Sequence, residues 1–188
     1  MAGSNDVRGM TETDSPTLSW YRKYSSLLLQ ALLFVVAFMV ISAFQSRNLL
    51  ATDRSPAPAL TAVMLDGENF DLDHLSGKPV LIYFFAPWCP YCSASADNLV
   101  RLRRLRDEND LAIIAVALDW QEHQQILDYA NKHALNIPVV MGNSQIAADW
   151  KVHGFPTYYV LDSEHRVARR DVGYSTQIGL LWRSWLLE

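Results

Sequence analysis

The chain has 188 residues, of which 50% are hydrophobic and 19% are charged, and its formal net charge is −4. This composition is typical of one globular domain and too apolar for a disordered chain. The slight negative charge excludes the strong basic field that nucleic-acid binding requires. Cys89 and Cys92 are the two cysteines, too few for a disulfide-stapled miniprotein or a four-cysteine zinc site, so the fold must depend on its hydrophobic core.

An apolar run of 18 residues, Leu27 to Phe44, contains no charge and one polar amide. As a helix it would be about 27 Å long, close to the hydrocarbon thickness of about 30 Å. With Trp20 and Tyr24 in the position of an interfacial aromatic belt, the run predicts an uncleaved transmembrane anchor over residues 20–46. A cleaved signal peptide is the alternative, but the long segment before the run and the poor cleavage site speak against it.

The segments on either side of the anchor differ in composition. Residues 1–19 are rich in Ser, Thr, Asp and Gly without periodicity, which predicts a disordered tail. Three basic residues before the run against two after it slightly favour a cytoplasmic N-terminus. Pro56 and Pro58 indicate that residues 47–59 form a short extended linker, which leaves residues 60–188 for one domain outside the membrane.

The first half of that domain shows strand and helix patterns in turn. Thr61–Leu65 and Asn69–Leu72 flank a turn signal and predict a small hairpin. Val80–Ala86 and Leu111–Leu118 are continuous apolar runs, typical of strands buried on both faces of a largely parallel sheet. Between them, apolar side chains recur every three or four residues and predict one buried helix face, formed by Cys92, Ala96, Leu99, Leu102 and Leu105.

The second half continues the alternation and completes an α/β fold. The patterns predict a helix over 122–134, a strand over Pro138–Met141, a helix over Ser144–Val152, strands over Thr157–Leu161 and Arg166–Val172, and a final helix running to Leu187, capped by Ser175 and packed through Trp182 and Trp185. The sum is a central mixed sheet flanked by helices, with a βαβ unit followed by an antiparallel pair.

The chemistry is predicted at Cys89 and Cys92, which follow a buried strand and open a helix. With Cys89 as N-cap, Pro90 takes the first helical position, and the amides of Tyr91 and Cys92 can point at the Cys89 sulfur. These donors and the helix dipole favour a thiolate at Cys89, whereas Cys92 on the apolar face stays protonated until it attacks a mixed disulfide. Cys89 is therefore predicted as the nucleophile and Cys92 as the resolving thiol.

A CxxC motif can also be half of a zinc site or a static disulfide. Here there is no second cysteine pair and no His within five residues, and a strand-to-helix junction is where reactive pairs lie. Redox chemistry by the pair itself, with no metal and no other cofactor, is the favoured interpretation. Metal binding and a purely structural role remain the alternatives.

Two stretches resemble a known family. The stretch from Gly77 to Cys92 resembles the active-site strand and helix of membrane-anchored, extracytoplasmic proteins of the TlpA/ResA type in the thioredoxin superfamily. The stretch from Val152 to Thr157 is similar to the cis-proline loop of that superfamily. The resemblance covers about residues 58–188 and implies a thioredoxin-like fold. Within the group, the CPYC motif and the Gly173–Thr176 stretch look most like the suppressor-of-copper-sensitivity D (ScsD) proteins.

The resemblance also implies roles for the residues around the cysteines. It implies that Pro156 is cis and faces the pair, and that the backbone of Phe155 pairs with a substrate strand. It implies that Trp88 shields the thiolate and shapes the partner surface. Tyr91, exposed between the cysteines behind Pro90, would tune the potential or offer an aromatic contact to partners.

Two positions depart from the family pattern. Thioredoxins carry a buried Asp six residues before the first cysteine, where this chain has Tyr83. Cytochrome-maturation members carry a Glu three residues after the second cysteine, where this chain has Ser95. Such acids move protons to and from the resolving cysteine, so this site must use water, Tyr83 or another group.

The leading hypothesis is a thiol–disulfide oxidoreductase anchored in the bacterial inner membrane, with its domain in the periplasm. We expect a monomer that reduces partner disulfides and is recharged by a membrane electron donor of the DsbD/ScsB type. A link to copper tolerance is implied by the ScsD resemblance alone. The alternatives are a cytochrome c maturation thioredoxin, an oxidant, and a Cu(I)-binding module that uses Cys89 and Cys92 as soft ligands.

Overall fold

The computed structural model describes residues 27–41 and 49–185, and the chain divides into two units at about residue 43. In the first unit, residues 27–41 form helix α1, all of whose residues are exposed. Among the described residues there is no helix with the length and apolar character needed to cross a membrane. The predicted tail (1–19) and the remaining parts of the predicted anchor (20–26 and 42–46) lie outside the described residues.

A five-stranded mixed sheet forms the centre of the second unit, in the order β5-β4-β3-β6-β7. Strand β4 pairs in parallel with β3 and β5, while β6 pairs antiparallel with β3 and β7. Strands β1 and β2 form a separate hairpin. The strands are β1 Thr61–Val63, β2 Asn69–Asp71, β3 Val80–Phe85, β4 Ala112–Ala117, β5 Val139–Met141, β6 Thr157–Leu161 and β7 Val167–Val172. The predicted mixed sheet, with its βαβ unit and antiparallel pair, is confirmed.

Four α-helices accompany these strands, and their positions agree with the sequence patterns. They are α2 Pro90–Leu105, α3 His123–Lys132, α4 Ser144–Asp149 and α5 Gln177–Trp185, with a short 3-10 helix at Leu72–Leu75. Helix α4 ends earlier than predicted because Lys151 has a φ of 49°, in the left-handed region that terminates a helix.

Two predicted packing positions are wrong. Leu105 is 58% exposed, because the buried stripe of α2 continues from Leu102 with a step of four residues to Arg106, which is 8% exposed. On α5, Trp182 is 66% exposed and Leu180 makes the buried contact instead. The side chain of Trp185 lies outside the described residues.

The predicted N-cap of α5 is also one residue off. The amide of Gly179 donates to the Thr176 Oγ1 at 3.2 Å, so Thr176 caps the helix. The hydroxyl of Ser175 lies instead 3.3 Å from the Asp171 Oδ2. Both residue types favour the N-cap position, Ser more than Thr, so propensity alone points to the wrong one of the two neighbours.

The side chains of β3 alternate between two aromatic clusters on opposite faces of the sheet. Tyr83 and Phe85 point to the face covered by α2, α3 and α5, which we call the cysteine face because Cys89 and Cys92 belong to it. Phe84 points to the other side, which we call the opposite face and where Trp150 and Tyr159 pack. One strand therefore supplies both halves of the core, as its continuous apolar pattern requires.

The segment predicted as a linker contacts the domain over most of its described length. Leu49 is 4% exposed and belongs to the core of the opposite face. The Arg170 guanidinium donates to the carbonyl of Leu49 at 2.9 Å, and the amide of Val167 donates to the carbonyl of Ser55 at 3.0 Å. From residue 49 onward this segment thus runs along the β7 edge. The boundary at residue 60 stays a prediction.

Candidate active site

Cys89 lies at the junction between β3 and α2, in the N-cap position that the sequence predicts. Its φ and ψ of −80° and 117° are extended, and Pro90 begins the helix directly after it. The amide of Cys92 donates to the Cys89 Sγ at 3.2 Å. Both cysteines are free thiols, so the structure represents the reduced form of the pair.

The two thiols differ in their surroundings. Cys89 is 4% exposed at the start of α2, between the exposed residues Trp88 and Pro90, whereas Cys92 is fully buried one turn further along the helix. Burial raises the pKa of the Cys92 thiol, since the charged form loses its solvation, and the hydrogen bond with Cys89 raises it further. Cys92 is thus held as a thiol at neutral pH, as the resolving role predicted for it requires. The roles themselves stay predictions.

The loop before β6 faces Cys89. The Phe155–Pro156 peptide bond is cis, which confirms the conformation expected for Pro156. The Cys89 Sγ lies 3.8 Å from the Phe155 carbonyl oxygen, with the thiol as donor. The carbonyl of Pro156 accepts the amide of Gly173 at 2.8 Å, and the Thr157 hydroxyl donates to the Gly154 carbonyl at 2.7 Å. These bonds hold the loop beside the cysteine.

Exposed aromatic side chains surround the thiol. Trp88 is 63% exposed and Tyr91 is 66% exposed, so the predicted exposure of Tyr91 is confirmed. Pro90 is exposed between them. The ring of Trp88 meets the ring of Phe155 edge-on, at a centroid distance of 6.1 Å. Cys89 is therefore presented to a partner within an apolar rim.

Asp119 positions Trp88, and sequence reasoning missed it. The Trp88 indole N–H donates to both the carbonyl and a carboxylate oxygen of Asp119, each at 3.1 Å. Asp119 has a φ of 51°, a conformation that Asp tolerates better than most residues. Its position directly after the buried run Leu111–Leu118 is the signal that could have found it, because β4 and β3 are parallel and their carboxyl ends meet at one edge.

A tyrosine, Tyr83, occupies the position at which thioredoxins carry a buried Asp. Tyr83 is fully buried, and its hydroxyl donates to the Cys92 carbonyl oxygen at 2.9 Å. A second hydroxyl, that of Tyr129 on α3, lies 3.1 Å from it. Burial raises the pKa of both tyrosines, so both are neutral across the physiological range. The sequence raised Tyr83 as a candidate but gave Tyr129 no role, although Tyr129 lies three residues after Ile126 on the apolar face of the predicted helix.

Other polar residues near the two cysteines add little to the functional argument. Ser95 is fully buried one turn beyond Cys92, and its hydroxyl has no hydrogen-bond partner among the described residues. His153, three residues before Pro156, is exposed. Within residues 27–41 and 49–185, no three His, Cys, Asp or Glu side chains come together in a way that could hold a metal ion.

Comparison with known proteins agrees with this geometry. The chain is 26% identical to the thioredoxin-like protein YneN of Bacillus subtilis over 81% of this chain and 91% of that protein. It is 26% identical to the thiol–disulfide oxidoreductase ResA of Bacillus thuringiensis over 64% of this chain and 70% of that protein. A secreted Mycobacterium tuberculosis disulfide oxidoreductase, described as homologous to DsbE of E. coli, superposes with a TM-score of 0.58 at 25% identity, covering 68% of this chain and 96% of that one.

These similarities confirm the predicted thioredoxin-like fold and explain why a reactive pair opens a helix beside a cis-proline loop. The protein is a thioredoxin-like thiol–disulfide oxidoreductase of the ResA/DsbE kind. Within that class, it belongs to the Redoxin family, whose model matches residues 51–178.

Proposed function

We propose that the protein is a membrane-tethered periplasmic reductant of partner disulfides, with Cys89 as attacking and Cys92 as resolving cysteine. The observation that carries this proposal is the contrast between the two thiols. The Cys89 sulfur lies at the N-cap of α2 and accepts a backbone amide, whereas the Cys92 thiol one turn further along is fully buried. Cys89 attacks a partner disulfide, forms a mixed disulfide and releases one partner thiol. Cys92 then attacks the Cys89 sulfur, which closes the Cys89–Cys92 disulfide and releases the second partner thiol, so the partner is reduced by two electrons.

The contacts of Cys89 favour a reductant over an oxidant. Strong oxidants such as DsbA owe their high potential to stabilisation of the reduced form. In the described structure, one amide donates to the Cys89 Sγ, while the Phe155 carbonyl oxygen faces the same sulfur. A carbonyl oxygen accepts a hydrogen bond from a thiol but repels a thiolate. With one amide donor and one long contact from the thiol to a carbonyl oxygen, we infer that the reduced form is stabilised less than in a strong oxidant, so that the pair gives up its electrons more readily.

The apolar N-terminal run supports tethering at the inner membrane. Eighteen uncharged residues from Leu27 to Phe44 match the hydrocarbon thickness, and residues 27–41 are helical and exposed. A tether raises the effective concentration of the domain near a membrane partner. We infer that an electron donor of the DsbD/ScsB type recharges the oxidised pair there.

The link to copper rests on the resemblance to ScsD proteins in the CPYC motif and the Gly173–Thr176 stretch. Copper oxidises and scrambles exposed thiols, and a reductant that restores them would protect its partners. On this account the protein gives copper tolerance through exchange and not through metal storage. A host strain whose chain carries Cys89→Ser should then be as copper-sensitive as a strain without the protein.

Insulin reduction and a Cu(I) competition titration separate this proposal from a Cu(I)-binding module. The proposal predicts that the reduced protein catalyses insulin reduction, that Cys89→Ser abolishes it, and that Cu(I) binds weakly. Tight Cu(I) binding with poor disulfide exchange would identify the metal-binding module instead. Catalysis of apocytochrome reduction in preference to insulin would favour cytochrome c maturation, although Ser95 replaces the Glu of that group.

A further inference from the structure

Two buried tyrosine hydroxyls lie in series behind the resolving cysteine. The Tyr83 hydroxyl donates to the Cys92 carbonyl oxygen at 2.9 Å, and its oxygen lies 3.1 Å from the Tyr129 hydroxyl. A phenol has one hydrogen to donate. Since the hydrogen of Tyr83 is given to the carbonyl, Tyr129 must donate to Tyr83, and the chain of hydroxyls runs from Tyr129 through Tyr83 to Cys92.

Tyr83 also influences the thiol of Cys92. Burial is the largest influence on the pKa of Cys92 and raises it, while hydrogen bonding with the Tyr83 side chain lowers it. The hydroxyl itself donates to the Cys92 carbonyl oxygen. Tyr83 thus occupies the position on β3 at which thioredoxins carry the buried acid.

The two ends of this chain lie in different surroundings. The inner end is enclosed by aromatic rings: Tyr83 stacks on Phe85 at 5.5 Å and packs against Tyr158 at 5.2 Å, and Phe85 stacks on Tyr129 at 4.4 Å. At the outer end, Tyr129 lines a surface cleft of about 240 Å³ that Trp88 borders. Tyr129 therefore lies between the buried site and a cleft that is open to water.

We propose that the hydroxyls of Tyr83 and Tyr129 relay the proton that Cys92 must lose in the resolving step. The inference rests on the proposed roles of Cys89 and Cys92. The Cys92 sulfur attacks the Cys89 sulfur, the bond between Cys89 and the partner breaks, and the partner sulfur leaves as a thiolate with the electron pair. The Cys92 proton passes to the Tyr83 oxygen, the Tyr83 proton to Tyr129, and the Tyr129 proton to water in the cleft.

The return of the pair to the reduced form uses the same path in reverse. In the reduced structure the hydroxyl hydrogens point inward, from Tyr129 to Tyr83 and from Tyr83 to the Cys92 carbonyl oxygen, so Tyr83 must turn its hydrogen toward Tyr129 before it passes a proton outward. Neither phenol is ionised at neutral pH, because burial raises the pKa of both. A neutral hydroxyl that accepts one proton while it gives up another never carries a full charge in the dry site.

The titratable groups around Cys92 and this path come from every neighbouring element. His133 belongs with them, because its ring packs against Tyr129 at 4.7 Å and its Nδ1 lies 3.3 Å from the Asp97 carboxylate. The set includes Cys89 and Asp97 from α2, Tyr83 from β3, Tyr129 and His133 from α3, Tyr158 from β6, and Asp128 and Lys132, which line the cleft.

The test is a rapid-mixing measurement of mixed-disulfide resolution on the full-length protein, with a fluorescent peptide disulfide as the probe. Tyr83→Phe and Tyr129→Phe each remove one hydroxyl and keep the ring. We expect resolution to be about 100-fold slower at neutral pH in both variants, the lower range for lost proton transfer. The rate should recover as pH rises, because hydroxide then takes the Cys92 proton directly.

Tyr159→Phe is the matched control. Tyr159 is a buried tyrosine that donates to a backbone carbonyl nine residues away, that of Trp150 at 2.7 Å, as Tyr83 donates to that of Cys92. It lies on the opposite face. This variant should lose the same kind of hydrogen bond and resolve the mixed disulfide at the wild-type rate.

Tyr129→Phe separates a relay from a structural role, because it leaves the bond between Tyr83 and the Cys92 carbonyl in place. Wild-type resolution by Tyr129→Phe at every pH would overturn the proposal, and this variant decides the question if Tyr83→Phe does not fold. The first attack by Cys89, measured in a Cys92→Ser background, should not change with Tyr83→Phe. If Cys92→Ser accumulates no mixed disulfide through Cys89, the proposed cysteine roles fail independently of the tyrosines.

Discussion

The two faces of the central sheet are built alike and are used differently. Each contains a cluster of rings, and each has a buried tyrosine whose hydroxyl donates to a backbone carbonyl nine residues away. On the opposite face, Tyr159 also accepts the amide of Leu50 at 3.2 Å, so its hydroxyl anchors the segment that precedes the domain. On the cysteine face, Tyr83 donates to the carbonyl of Cys92, the proposed resolving cysteine. The same local bond thus anchors a segment on one face and, as we propose, serves the chemistry on the other.

The largest expected effect comes from the cysteines themselves. Cys89→Ser removes the attacking sulfur and should lower insulin reduction by about three orders of magnitude or more. Cys92→Ser should still form the mixed disulfide and accumulate it, which a non-reducing gel with a thiol-reactive partner detects. Tyr159→Phe on the opposite face is the control and should keep full activity. Exchange that survives in Cys89→Ser would contradict the assignment of the nucleophile.

A sharper comparison uses two neighbouring residues of β3. Phe84 and Phe85 are both fully buried, and their rings pack against Trp150 and Tyr129, respectively. Replacing either with Leu leaves a small cavity and should cost about 1–3 kcal/mol in the free energy of unfolding, measured by urea titration. Only Phe85→Leu should also change the rate of mixed-disulfide resolution, because Phe85 holds Tyr129. Equal effects of both variants on that rate would remove the distinction between the faces.

The buried thiol of Cys92 makes the stability of the reduced protein depend on pH. Free Cys has a pKa of about 8.5, and in the folded state that of Cys92 is raised. Above about pH 8.5 the unfolded chain loses a proton that the folded protein keeps, so stability falls as pH rises, by up to about 1.4 kcal/mol per pH unit. Below that pH the contribution is constant.

Urea titrations under reducing conditions between about pH 7.5 and pH 9 measure this slope, because most unfolded tyrosines, with a pKa of about 10, are still protonated there. Cys92→Ala retains Cys89 and lacks the buried thiol, so its stability should fall less steeply. Identical slopes in the two proteins would show that Cys92 is not held protonated by the fold.

The smallest effect is expected at the rim of the site. Trp88→Phe keeps an aromatic ring but removes the indole N–H that donates to Asp119. Losing this exposed bond should raise the KM for a protein disulfide about 2–10-fold with little change in kcat, in line with one hydrogen bond. Tyr91→Phe keeps its ring and serves as the comparison. A large fall in kcat in Trp88→Phe would mean that the indole acts on the chemistry and not on partner binding.

The strand and helix order could be predicted because the patterns are strong and local. Continuous apolar runs predicted β3 and β4, and the position of Cys89 between a strand and Pro90 predicted that Cys89 is the N-cap of α2. Apart from Trp182 within α5, the packing and capping errors fell at helix ends, where Arg106 is buried in place of Leu105 and Thr176 caps in place of Ser175. At such positions a shift of one residue changes which side chain is buried or which residue caps the helix, and the sequence pattern does not fix that shift.

The support of the site was harder to predict than the cysteines. Asp119 and Tyr129 come from separate elements, 30 and 40 residues after Cys89 in the chain, and only the parallel pairing of β3 with β4 and the packing of α3 bring them close. Tyr83 could be named as a candidate because it stands where thioredoxins carry a buried acid. Tyr129 could not, because a tyrosine on an apolar helix face has the same sequence pattern as a core residue.

The reduction potential of the Cys89–Cys92 pair tests the central claim most directly. It is measured by titrating the full-length protein with glutathione or dithiothreitol buffers and following the pair by thiol labelling. We expect a value near that of thioredoxin, about −270 mV, for a reductant whose reduced form is stabilised less than that of a strong oxidant. A value near that of DsbA, about −120 mV, would contradict it and make the protein an oxidant.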